Sequence, residues 1–145
     1  MVKTTRYEKE GVTAMREAGY HTVRMPASGG GTTYHLPDFI VGKPVEGTSK
    51  ATLWNCEHKS TRKDRLYVPK RELAQVEQFS RDFGGRSYLV VRWVDNTGGR
   101  EHYFYALPDL RDSGKSYVAE HETALDDARF VLRPNTGNII RARSP

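Results

Sequence analysis

Cysteine is almost missing from this chain: Cys56 stands alone, so no internal disulfide framework can form and nothing implies an oxidising compartment. No run of about 18 apolar residues occurs, and the charged stretch from Lys3 to Glu10 leads into no apolar segment; the sequence therefore predicts neither a membrane span nor a secretory leader. Internal repeats and low-complexity tails are also absent. The histidines at 21, 35, 58, 102 and 121 share no ligand spacing, so no Cys/His metal motif is legible. What is present is a chain of 145 residues, long enough to bury roughly two-thirds of the surface its unfolded form exposes, and one domain over 1–145 is expected. Its 23 basic residues against 18 acidic ones give a net charge of +5. That balance bears first on solubility and only then on polyanion binding.

The segment Thr4 to Ala18 has helical periodicity, with Val12 and Met15 three apart, Ala14 and Ala18 four apart, and Gly19 as the stop. Glu8 lies four before Val12, on the apolar stripe, so a carboxylate is expected to point inward. His21 to Met25 reads as a short strand, "PASGGGTTYHLP" as a loop, and Asp38 to Gly42 as a strand whose hairpin partner is Thr52 to Lys59. Ser60 to Arg71 is the densest basic run and reads as a loop. Pro69 opens a helix that Leu73, Val76, Phe79 and Phe83 carry to Gly84-Gly85. "SYLVVRWV", Ser87 to Val94, is apolar enough for a strand buried on both faces, and the strand, helix, strand order predicts that it runs parallel to the Thr52 to Lys59 strand. His102 to Leu107 and Arg129 to Leu132 are further strand candidates. Asp109 to Asp127 is polar and gives no clear element.

The stretch "LWNCEHK", Leu53 to Lys59, begins apolar and ends ionic. Alternation places Trp54, Cys56 and His58 on one face and Leu53, Asn55, Glu57 and Lys59 on the other. In a hairpin the start of one strand lies opposite the end of its partner, so Asp38 and Glu57 are expected to meet at one sheet edge. Two carboxylates so close repel unless a cation separates them. Oxygen donors suit Mg²⁺, with Mn²⁺ as a substitute. Such a metal lowers the pKa of a bound water, and Lys59 on the same face can hold the attacking water or neutralise phosphorane charge. The combination suggests phosphodiester hydrolysis. The competing reading of Glu57 and Lys59 is an ordinary solvated salt bridge.

"PDFIVG" followed by "CEHK" resembles the PD-(D/E)xK nuclease signature. A longer ordered set, "YEKEGVTAMREAGYHTVRMPASG", "PDFIVG", "EHKSTRKDRLYVPKRELAQVEQFSRDFGGRSYLVVRW" and more weakly "RFVLRPNTG", resembles the archaeal-type Holliday junction resolvases, a family some viruses also carry. The resemblance implies an α/β restriction-endonuclease-like fold with a central mixed five-stranded sheet flanked by helices. It implies a structure-specific endonuclease that makes paired symmetric nicks in four-way DNA junctions with Mg²⁺, acting as a homodimer. Residue by residue, it assigns Glu8, Asp38 and Glu57 to the metal, Lys59 and Ser28 to catalysis beside them, and Arg24 and Ser28 to DNA contact. It also assigns Phe79 and Phe83 to the dimer interface. The location expected of such an enzyme is the cytoplasm, or the host cytoplasm or nucleoid if the chain is viral. Three departures stand out: a long turn from Lys43 to Ala51, His58 where an apolar residue is common, and a segment around 109–127 with the look of an insertion.

Arg62, Lys63, Arg65, Lys70 and Arg71 are expected to contact phosphates, each contact adding salt dependence. Taken alone, each of these assignments has a plain structural counterpart: Arg24 a surface charge, Ser28 a turn serine, the basic tract a solvated loop, Phe79 and Phe83 core, and His58 a packed core edge. Two other functions fit the same residues, a duplex or flap nuclease on this scaffold and a junction-binding protein that no longer cleaves.

Overall fold

A computed structural model of the chain describes residues 4–26, 35–94, 99–134 and 138–142. The first helix, α1 (Thr4–Glu17), buries Tyr7, Val12, Ala14 and Met15. It ends in a Schellman motif in which the amide of Gly19 donates to Arg16 and that of Tyr20 to Met15, with Gly19 at a φ of 93° that only glycine adopts without strain. The chain then enters β1 (His21–Arg24), β2 (Phe39–Pro44), β3 (Ala51–Thr61) and β4 (Arg65–Pro69). Helix α2 (Lys70–Phe83) follows, Pro69 acting as its N-cap residue, and leads into β5 (Arg86–Trp93) and β6 (His102–Ala106). A single 3-10 turn, Leu107–Asp109, precedes β7 (Arg111–Asp112), β8 (Ser116–Glu120), α3 (Ala124–Asp127), β9 (Phe130–Arg133) and β10 (Asn138–Ala142).

The central sheet has the order β1-β2-β3-β5-β6-β9-β10. Only β3 and β5 are parallel among its described pairs, as the intervening crossover through α2 requires, so the sheet is mixed. It contains seven strands rather than the five expected. The six strand candidates read from the sequence all pair into this sheet, one more than the five expected, and the seventh is β10 at the edge, where Ile139 and Ile140 are too short an apolar pattern to stand out.

Strand β5 alternates its side chains between two cores, as its unbroken apolar run predicts. Tyr88 and Val90 join Val12, Met15, Phe39, Cys56, Phe104 and Leu132 under α1. Leu89, Val91 and Trp93 join Leu73, Tyr105 and Val131 on the opposite face. That second core is closed by a small sheet of order β4-β8-β7. The basic tract is therefore not a loop: β3 continues to Thr61, and Leu66 and Val68 of β4 alternate with exposed Arg65, Tyr67 and Pro69. The density of positive charge hides this alternation. The segment 109–127 is likewise structured, pairing β8 with β4 and contributing Leu110, Ala119 and Ala124 to the core. Its partner strand lies some fifty positions earlier, beyond the reach of any local pattern. At the α2 to β5 turn, Gly85 has a φ of 102°, and a Cβ there would sit 2.7 Å from the Leu53 carbonyl oxygen, so glycine lets this turn close directly on β3. No helix among the described residues is long and apolar enough to cross a membrane.

Candidate active site

The alternation in β3 divides the strand as its sequence implies. Trp54, Cys56 and His58 face α1, while the Asn55 amide donates to Ser80 Oγ and to the Gly84 carbonyl, each at 2.9 Å, on the α2 side. Glu57 and Lys59 continue that second face at the end of the strand. Lys59 Nζ lies 3.2 Å from Glu72 Oε2 in the first turn of α2. Asp38 immediately precedes β2. Its amide donates to the Cys56 carbonyl at 2.9 Å, which places it opposite Glu57 one step beyond the Phe39–Cys56 pair. Its carboxylate is folded back so that Oδ2 accepts the His58 backbone N–H at 2.7 Å. The hairpin therefore brings Asp38, Glu57 and Lys59 together.

Glu8 is 7% exposed, the inward carboxylate that α1 predicts, and its Oε1 accepts from Arg24 Nε at 2.7 Å. It is near enough to Asp38 for the two charges to disfavour one another. Arg24 thus sits beside the carboxylates with its Nε occupied by Glu8. Ser28 lies outside the described residues. Arg62, Lys63 and Arg71 are exposed; Lys70 Nζ is 2.7 Å from Asp112 Oδ2, and Arg65 Nε is 3.7 Å from Glu120 Oε1. Phe79 and Phe83 stack with centroids 4.9 Å apart, and Phe83 is 56% exposed, so this stripe is only partly core.

The protonation equilibria of the three carboxyls are all displaced upward. Burial is the largest cause for Asp38, opposed by the His58 amide, Glu57, Lys59 and Arg24. Burial and then the Asp38 charge push Glu57 up to about 8, with Lys59 opposing. Burial also raises Glu8, against the bond from Arg24. Glu57 thus holds its proton to about pH 8 beside Asp38, because burial and the Asp38 charge both disfavour its ionised form. The donor set is all oxygen, which fits Mg²⁺ or Mn²⁺ with water completing the shell. Among the described residues no group of three or more His, Cys, Asp or Glu side chains stands where it could hold a metal ion, so Glu8, Asp38 and Glu57 are not gathered as the expected three-carboxylate site. An open, water-completed Mg²⁺ site needs only one or two carboxylates.

A stability consequence follows from the sign of the Glu57 shift. A carboxyl whose folded pKa exceeds its unfolded value near 4.5 stabilises the fold below the unfolded value, and that contribution disappears as pH rises through about 8. The thermal midpoint in EDTA is therefore expected to fall between about pH 5 and pH 9, by an amount corresponding to at most a few kcal/mol. Mg²⁺ should restore it at the alkaline end, and Asp38→Asn should flatten the slope. Differential scanning fluorimetry across pH reads both effects; a midpoint independent of pH and of Mg²⁺ would contradict the upward shift of Glu57.

Glu72, and the His102 and Glu10 that line up behind His58, have no sequence signal. Glu72 meets Lys59 only because α2 folds back over β3. On the far side of β3, His58 Nε2 is 3.1 Å from His102 Nδ1, and His102 Nε2 is 2.9 Å from Glu10 Oε1. Burial drives the pKa of both histidines down, so both stay neutral. Burial alone would raise Glu10, but the bonds from His102 and Arg92 outweigh it and bring it to about 2. His58 is the buried, hydrogen-bonded core residue that its strand face implies.

Comparisons with known proteins bear on the family and the fold. Residues 2–134 match the family described as archaeal Holliday junction resolvase (Hjc). The crossover junction endodeoxyribonuclease Hjc of Sulfolobus acidocaldarius is 26% identical over 143 residues, spanning 96% of this chain and 92% of that protein. Among solved structures, Hjc of Archaeoglobus fulgidus, a Holliday junction resolvase from an archaeal hyperthermophile, superposes with a TM-score of 0.67 at 21% identity. That superposition covers 83% of this chain and 91% of the other, and establishes the shared fold. With a match that runs from the first helix through β9, this chain belongs to the archaeal Holliday junction resolvase family.

Proposed function

We propose that this chain, as one nuclease domain over residues 1–145, resolves four-way DNA junctions by Mg²⁺-dependent phosphodiester hydrolysis, making paired symmetric nicks as a homodimer. The observation that carries the reading is the meeting of Asp38 and Glu57 at the end of the β2–β3 pair, with Lys59 on the same strand face. Asp38 and Glu57 would hold the metal, and Glu8 would complete the site from α1. When bound, the ion supplies a water of lowered pKa and charge stabilisation at the leaving oxygen. Lys59, tethered by Glu72, points its ammonium to where phosphorane charge develops. Arg24, oriented by Glu8, and Ser28 contact the DNA backbone near the cut. A chromosomal or viral junction as substrate places the enzyme in the cytoplasm.

The test is digestion of a synthetic four-way junction beside a flap and a linear duplex, with Mg²⁺ or Mn²⁺. Selective junction cleavage is expected. Equal cleavage of all three would favour a general nuclease, and junction binding without cleavage an architectural protein.

The turn between β3 and β4 leaves Arg62 and Lys63 exposed, and Arg71 is exposed at the start of α2. Replacing Arg62 and Lys63 with glutamate is expected to weaken junction binding and to lower the slope of log K against log salt by about one for each phosphate no longer neutralised. Binding titrations at several salt concentrations check this; an unchanged slope would place the DNA elsewhere. The Phe79–Phe83 stack offers an apolar face to a second copy, and a two-fold dimer matches a two-fold junction. Phe83→Ser is expected to shift the protein to monomer by sedimentation and to convert paired nicks into single ones. A wild-type monomer at micromolar concentration would remove the dimer.

A further inference from the structure

Behind the carboxylates a line of hydrogen-bonded polar side chains crosses the core under α1. It begins on α1 at Glu10, whose Oε1 accepts from Arg92 Nε of β5 at 2.8 Å and whose Oε2 lies 3.3 Å from Arg100. The Arg92 guanidinium is further held by the Trp93 carbonyl and lies 5.0 Å from the centroid of the Tyr7 ring. From Glu10 the line passes to His102 on β6 and then to His58 on β3. A carboxylate only accepts, so His102 donates from Nε2, its Nδ1 accepts, and His58 donates from Nε2. The two rings, 0% and 1% exposed, meet over β5.

The line stops at the His58 ring, whose Nδ1 has no partner, and residue 58 meets the site through its backbone. The backbone N–H of His58 is the donor that holds Asp38 Oδ2, so where residue 58 sits decides where that oxygen sits. At the other end, Glu10 is two residues from Glu8 on the same helix. Gly11 lets the helix come this close: a Cβ there would stand 3.2 Å from both Cε1 and Nδ1 of His102 and 3.7 Å from His58 Cδ2.

We propose that His58, His102 and Glu10 are positioning residues, a hydrogen-bonded chain that registers α1 against β3 and thereby sets Glu8 and Asp38 for a divalent cation. The inference rests on the reading that Asp38 is a metal ligand. Strand pairing with β5 already fixes the course of β3 at residue 58, but plain apolar filler would leave the rotation of α1 against it without a polar register. Groups that orient metal ligands from behind typically change metal affinity or activity roughly 10- to 100-fold when replaced.

The decisive variant is His58→Leu with His102→Leu, which removes both partners and leaves no orphaned ring nitrogen, so folding is expected to survive. Mn²⁺ binding to the DNA-free protein, read by electron paramagnetic resonance, is expected to weaken at least about 10-fold. In cleavage, kcat should fall while KM, and junction affinity in Ca²⁺, stay unchanged. A folded double variant with wild-type Mn²⁺ affinity and kcat would overturn the proposal. If that variant does not fold, Glu10→Gln and Glu10→Ala decide: Gln keeps an acceptor for His102 and should hold Mn²⁺ better than Ala, and equal, wild-type binding by both would overturn it. Asp38→Ala separates the two layers. Wild-type Mn²⁺ binding by Asp38→Ala sinks the metal site itself, whereas weakened binding by Asp38→Ala beside wild-type binding by the double variant sinks only the positioning chain.

Discussion

Glu57→Gln is expected to lower the rate of junction cleavage by roughly 10³-fold while leaving the protein folded and junction binding intact or tighter. Glutamine preserves the shape and hydrogen-bonding capacity of the side chain and removes only its charge. In the metal-free protein that charge is disfavoured, since burial and Asp38 hold the Glu57 proton on up to about 8. A group so placed is costly to ionise unless a cation compensates, which is the role the proposed metal would have. Removing it also removes a repulsion toward phosphate, hence the retained affinity. Asp38→Asn should behave alike, with one difference: Asp38 Oδ2 also accepts the His58 amide, a bond that asparagine can keep through its carbonyl oxygen. Single-turnover cleavage with junction binding measured in Ca²⁺ separates the two quantities. Cleavage at the wild-type rate by either variant would remove these carboxylates from the chemistry.

Lys59→Ala is expected to reduce kcat by roughly 10²- to 10³-fold with little change in KM. Two effects act together. The ammonium no longer meets developing charge, and Glu57 loses the positive neighbour that opposes its upward shift, so it holds its proton to still higher pH. The pH profile of the variant should therefore rise more slowly and at more alkaline pH than that of the wild type. Lys59→Arg should not restore the rate, because a planar fork held by Glu72 cannot take the place of a compact point charge. A profile of unchanged shape would show that Lys59 acts on the phosphate alone. An unchanged rate would return the residue to the status of a surface salt bridge.

Much of this site is legible in one strand. "LWNCEHK" sorts its own side chains by alternation, and the hairpin that precedes it brings Asp38 opposite Glu57, because antiparallel pairing obliges the start of one strand to meet the end of the other. Glu8 is legible too, as a carboxylate on the apolar stripe of a helix. Its partner Arg24 is less so: a strand-end arginine reads as a phosphate contact, and the structure shows it clamped to Glu8. The basic tract misleads because charge density draws attention away from Leu66 and Val68, whose spacing of two marks a half-buried strand.

The sequence by itself determined the periodic elements, the two faces of β3, the doubly buried β5 and the oxygen-rich chemistry of the carboxylate pair, because each of these follows from spacing within a few residues. Tertiary structure alone decided which groups stand behind that pair. Glu72 reaches Lys59 only through the crossover that lays α2 on the sheet. His58 and His102 are 44 positions apart, and His102 and Glu10 are 92 apart. Local periodicity states which face a residue occupies, but contacts at such separation depend on strand order and register, which set the neighbour across the sheet.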